Sequence, residues 1–226
     1  MRRSRNVLLT GIVLSAVLVV VGTLGAEEKK PLPFKLPKPV FIGTPKNIPP
    51  GTTVQKSTGK ARPPFMAPAG TTNVALEKEV TSSDEEPIIG EIEMITDGDK
   101  EATDGSYVEL GPGLQWVQVD LEAPCEIYAV LFWHYHADPR VYRDVVVQVA
   151  DDADFITNVR TIFNNDHDNS AGLGIGKDYE YFEVYEGQLV DAKGIKARFV
   201  RIYTKGSTAN EQNHFIEIEV WGKSAK

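Results

Sequence analysis

The sequence predicts an all-β fold, an antiparallel β-sandwich, on three observations. From Asn73 onward the apolar residues fall in short alternating runs, and Gly, Asp, Asn and Pro separate them. No helical period is sustained for more than about two turns. A strand sends successive side chains to opposite faces, so a period of two marks one buried and one solvated face.

Each run supports this reading. Residues 116–121 place Val117, Val119 and Leu121 on one face, and residues 127–133 are apolar throughout, which predicts a central strand covered on both sides. Residues 143–149 align Val145, Val147 and Val149, and residues 197–203 align Val200 with Ile202. The final run, 215–221, turns Ile216, Ile218 and Val220 inward and sends Glu217 and Glu219 to the opposite face. No repeat of roughly 20 to 50 residues is visible, which argues against a propeller or solenoid.

The chain divides into three parts by composition. In residues 1–26, Arg2, Arg3 and Arg5 precede an apolar run from Val7 to Val21 and the small residues Gly22, Gly25 and Ala26. That order is expected of a secretory signal peptide, with the mature chain beginning at Ala26 or Glu27. The same stretch approaches the roughly 20 residues that span a bilayer, so an uncleaved anchor is the alternative and the one route to a membrane. Either outcome places the rest outside the cytoplasm, secreted or in the cell envelope. Residues 27–71 are basic and hold 10 of the 14 prolines, which predicts an extended linker. Residues 72–223 form the folded domain. The first 70 residues carry 11 basic and 2 acidic side chains, and the remainder 13 and 30. An acidic domain without a basic stripe argues against nucleic-acid binding. The single cysteine, Cys125, excludes a disulfide framework within the chain and is expected to be a small buried hydrophobe.

No HExxH, GxSxG or GxxxxGK[ST] motif occurs, and no catalytic residue is assigned. His134 and His136 share a face at the end of the central strand, where they read either as a transition-metal pair without a third ligand or as ordinary strand-end polar residues. The acidic run 97–106 is not an EF-hand, since Ala102 stands where glycine is required and Val108 where a bidentate glutamate belongs.

The order NVALEKEVTSS, ITDGD, WVQVDL, EIYAVLFW, RDVVVQVADDADF and ARFVRIYTKGS followed by EIEVWG resembles the discoidin-like domain. This is the coagulation factor five/eight C-terminal type, grouped with the galactose-binding-like jelly rolls and the family thirty-two carbohydrate-binding modules. The resemblance covers about residues 72–223. It implies an eight-stranded jelly roll whose rim loops bind glycans, phospholipid heads or proteins, without catalysis. It also implies a structural Ca²⁺ held by Asp97, Asp99 and Glu217, with Thr103 as the hydroxyl ligand; a solvated Asp-Gly turn is the plainer alternative. In the related modules the loop at 136–142 supplies an arginine, and Arg140 is its counterpart here. His136, Tyr142, Asn213 and His214 complete the expected rim site, Tyr142 as the stacking ring. Two functions follow as expectations: a carbohydrate-binding module, or an adhesive or structural domain that binds an exported protein partner.

Overall fold

The computed structural model describes residues 27–40, 53–56 and 59–225. The expected export segment, residues 1–26, lies outside the described residues. Among the described residues no helix is long and apolar enough to cross a membrane. Two short strands come first, β1 (Lys29–Pro31) and β2 (Met66–Pro68). They are followed by β3 (Thr72–Asn73), β4 (Val80–Ser82), a 3₁₀ turn (Ile92–Thr96) and β5 (Val108–Leu110). The remaining strands are β6 (Gln115–Trp133), β7 (Val146–Ala150), β8 (Arg160–Asn164), β9 (Gln188–Thr204), β10 (Asn213–Phe215) and β11 (Glu217–Ser224).

Seven of these strands make one sheet in the order β3-β11-β6-β9-β7-β8, with β4 paired to β6. β5 and β10 pair antiparallel in a second, smaller sheet. Val117, Val119, Val147, Val149, Val200, Ile202, Ile218 and Val220 are all buried in one core with Val108, Leu110 and Phe215 from the small sheet. The predicted alternation is therefore the sandwich interior. β6 changes register against β9 between Asp120 and Cys125, where Glu122 takes a positive φ of 65°. The bulge divides the long strand into two halves with different outer faces.

The second half of β6 is covered on both sides, as its sequence requires. Ile127, Val130 and Phe132 face the main core, while Ala129, Leu131 and Trp133 face the other way. What covers that second face corrects the linker reading. β1 and β2 pair as a ribbon, and Leu32 and Ala67 are buried with Ala129 and Trp221. Phe34 meets Trp221 edge-on at 5.3 Å, and Arg62 Nη2 donates to the Gly187 carbonyl. Part of the proline-rich segment is thus packed against the domain. Burial of apolar surface drives this at roughly 25 cal/mol per Å², and a short edge ribbon tolerates proline's missing N–H. Gly187 shows how closely this region packs. Its φ is +64°, and a Cβ there would lie 2.6 Å from the Trp133 ring.

Glu217 and Glu219 lie on the face opposite the core, as predicted, yet they are 0% and 4% exposed. The acidic loop after the 3₁₀ turn brings Lys100 onto them. A two-faced strand pattern gives no sign that a loop will cover its polar face.

Candidate functional site

The structure gathers the predicted rim residues at one end of the sandwich, but buries them. The Tyr142 ring is 1% exposed and lies 4.2 Å from the His134 ring at 18°, a stacked pair inside the protein. It has no face left for a sugar, which corrects its role as the stacking ring. A ring in a loop lacks the periodicity that fixes side-chain direction in a strand. Asn213 is fully used: its Nδ2 donates to the Gly111 and Gly113 carbonyls at 2.7 and 3.0 Å, and its Oδ1 accepts from the Gly206 N–H at 2.7 Å. That side chain ties two loops together and leaves nothing for a ligand.

Arg140 forks onto Asp138 at 2.6 and 2.9 Å and lies over the Tyr135 ring at 4.7 Å. His214 Nε2 is 3.1 Å from the Glu109 carboxylate, and burial with Arg140 and His134 nearby pushes this imidazole down to about 4. His136 is buried, with Nε2 donating to the Lys100 carbonyl at 2.9 Å. His134 Nδ1 lies 3.1 Å from Glu183, so the two histidines meet different partners and do not form a metal pair. Six buried polar atoms in this cluster have no protein partner: His134 Nε2, Arg140 Nη1, Tyr142 Oη, Tyr181 Oη, Glu183 Oε1 and His214 Nδ1. Buried polar groups require partners, so this number at one end of the fold marks a polar cluster beside the Arg140–Asp138 pair.

The residues proposed for calcium do not converge. Asp97 and Asp99 are exposed, and each gives a carboxylate oxygen to an N–H of its own turn, Asp99 N at 2.7 Å and Glu101 N at 2.9 Å. The Thr103 hydroxyl lies at the surface, 3.1 Å from that of Ser106. Glu217 Oε1 is buried without a partner, the one feature that suits a cation. Burial pushes Glu217 up to about 9, against the hydrogen bond from Gly98 N–H and the pull of Lys100. Lys100 Nζ already donates to the Gly98 carbonyl at 3.0 Å and pairs with Glu219 at 3.0 Å. The donor set does not fit a Ca²⁺ ion, whose shell needs six or more oxygens.

Sequence reasoning missed a second acidic cluster, Asp144, Asp166 and Asp168, with candidate ligand atoms within 4.8 Å of one another. Asp144 precedes β7 and so lies more than a strand away in sequence from Asp166 and Asp168. The Asp166 oxygens accept the Ser170 and Ala171 N–H groups at 3.0 and 2.9 Å, and the Ser170 hydroxyl donates to Asp144 at 2.5 Å. These contacts account for the cluster as a capped turn.

An accessible concavity lies elsewhere, on the solvent side of the large sheet. An open groove of about 450 Å³ is lined by Thr81 of β4, Gln118 and Asp120 of β6, and Arg198 and Phe199 of β9. Glu79 and the turn residues Asp151, Asp152 and Ala153 complete it. The alternation that buries Val117 and Val119 points Gln118 and Asp120 outward. Asp120 accepts a two-point fork from Arg198 at 2.7 and 2.6 Å, and this hydrogen bonding holds its carboxyl below the usual range despite partial burial. Asp152 accepts the Asp154, Ile156 and Thr157 N–H groups, chiefly that of Thr157, which lowers it likewise. Beside the groove Arg201 lies between the Trp116 and Phe155 rings, at 4.2 and 3.9 Å, and forks onto the Gln118 carbonyl at 2.9 and 2.6 Å. This fixes the Gln118 amide and leaves its Nε2 group for another acceptor.

No protein-family model matches the sequence, and no curated protein matches it. Among solved structures, the chain is similar to a family 89 glycoside hydrolase from Clostridium perfringens, with 19% identity and a TM-score of 0.50. That match covers 68% of this chain and 15% of the hydrolase, so the chain spans about a seventh of that enzyme. It is also similar to chitosan-binding module 1 of a chitosanase/glucanase from Paenibacillus sp. IK-5, with 21% identity and a TM-score of 0.50 over 67% of this chain and 99% of the module. These likenesses show the fold, a β-sandwich jelly roll like that of the chitosan-binding module.

Proposed function

We propose that this chain is an exported, non-catalytic carbohydrate-binding module that takes a glycan on the outer face of its large sheet. The observation that carries the reading is the open groove, the place where surface donors and acceptors stand side by side in a concavity. Arg198 and the Gln118 amide offer donors, and Asp120, Asp151 and Glu79 offer acceptors, the complement that sugar hydroxyls need. A chitosan-binding module shares the fold over nearly its whole length, which supports the same class. Four carboxylates face one guanidinium in the lining, so the groove favours neutral or amino-bearing sugars over uronates.

Two carboxylates of the groove are poor candidates for the general acid of glycoside hydrolysis. That reaction needs one acid held protonated, whereas Asp120 and Asp152 are both held below the ordinary range. Binding of the full chain to an array of neutral, amino-bearing and uronate oligosaccharides tests the proposal. Retention of a neutral or amino-bearing glycan without released product is expected. Binding to none of them, or to uronates alone, contradicts it.

A second reading is favoured by the six unpartnered atoms of the rim cluster. In it the Arg140–Asp138 pair opens and a sugar supplies the missing hydrogen bonds. Substitutions at Arg198 and Arg140 separate the two.

A further inference from the structure

The family resemblance places a divalent cation between the acidic loop and the last strand, and the residues here do not fit one. We propose instead that the Lys100 ammonium is the domain's built-in cation, joining the acidic loop to β11 and making the fold independent of Ca²⁺.

The geometry is that of an internal counter-ion. Lys100 is 11% exposed at its side chain and Glu219 5%, with their charged atoms 3.0 Å apart. The ammonium's second contact is the Gly98 carbonyl at 3.0 Å, a backbone oxygen of the kind a calcium loop supplies. It also lies 5.7 Å from the centre of the Trp133 ring, whose face attracts cations. The other oxygen of Glu219 accepts the Trp221 indole N–H at 2.9 Å, so this carboxylate is held from two sides. Glu217, two residues before it on β11, accepts the Gly98 N–H at 3.1 Å. The loop is therefore fastened to β11 by one ammonium and one backbone N–H, while Asp97 and Asp99 turn outward to cap their own turn. A lysine within an acidic run reads in sequence as part of a solvated turn, which concealed this role.

A buried ion pair broken on one side leaves an uncompensated charge, whereas removal of both charges is tolerated far better. The test is thermal melting of the full chain in excess EDTA and in excess CaCl₂, for the wild type, Lys100→Met, and Lys100→Met combined with Glu219→Gln. The wild type should melt at one temperature in both solutions. Lys100→Met should melt roughly 6 to 20 °C lower, the shift expected for a half-broken buried pair in a domain of this size. The double variant should recover most of that loss, and it decides the matter if the single variant does not fold. A wild-type melting temperature that rises with Ca²⁺ or falls with EDTA overturns the proposal. So does a Lys100→Met protein as stable as wild type, or a double variant no better than the single one.

Discussion

The rim cluster and the sheet-face groove hold the same kinds of side chain and use them in opposite ways. At the rim, His134 stacks on Tyr142 and His214 meets Glu109 with little access to water, and Arg140, 10% exposed at its side chain, forks onto a half-exposed Asp138. On the sheet face, Arg198 forks onto Asp120 with the arginine side chain 40% exposed. An arginine–carboxylate fork is a packing device in one place and a presented recognition surface in the other. Residue type alone does not separate them, and burial does. The consequences of substitution should follow the same division, with stability at stake at the rim and binding at stake on the sheet face.

The largest effect should come from Tyr142→Ala. Removing a fully buried ring that packs on His134 and belongs to the main core should cost about 3 to 5 kcal/mol in urea unfolding. A cost below about 1 kcal/mol, the scale of a surface change, would show that the rim is not packed as described.

Acid should destabilise the same cluster. His214 is held at about 4 in the fold, against an ordinary value near 6.5. As pH falls, the unfolded chain takes up this proton first, so the contribution is full above pH 6.5 and is lost between pH 6.5 and 4. The loss should reach up to about 3 kcal/mol, and His214→Gln should flatten that part of the profile. An identical pH profile in the variant would remove His214 from the account.

The smallest effect should come from the proline-rich arm. Phe34→Ala gives up an edge-to-face contact with Trp221 at a half-buried position, which should cost about 1 kcal/mol and leave glycan binding unchanged. Faster proteolysis within residues 27–40 would accompany loosening of the arm.

The fold was legible because the interior of a sandwich is written with a period of two. Val117 and Val119, Val147 and Val149, and Ile218 and Val220 all face the core as their spacing requires. The doubly apolar stretch at 127–133 correctly demanded two covers, but nothing in its own residues said that Leu32, Phe34 and Ala67 from the proline-rich arm would supply one. The site was less legible for a related reason. Arg140 and His214 do meet near Tyr142, yet whether a loop side chain points in or out depends on long-range packing that no local pattern records. The groove was overlooked because its residues, Gln118, Asp120 and Arg198, are the polar half of ordinary alternating strands. The pairing of β6 with β9 brings them together across 78 residues of sequence.

The most direct test of the account measures stability and glycan affinity together in Arg198→Ala and Arg140→Ala, using the best-bound oligosaccharide from the array. Arg198→Ala should lose roughly 1.5 to 3 kcal/mol of binding, the scale of a hydrogen bond to a charged group, with a melting temperature close to wild type. Arg140→Ala should melt lower and, at a temperature where it is folded, bind as wild type does. The reverse pattern, with affinity lost in Arg140→Ala and kept in Arg198→Ala, would contradict the sheet-face site and place the sugar at the rim.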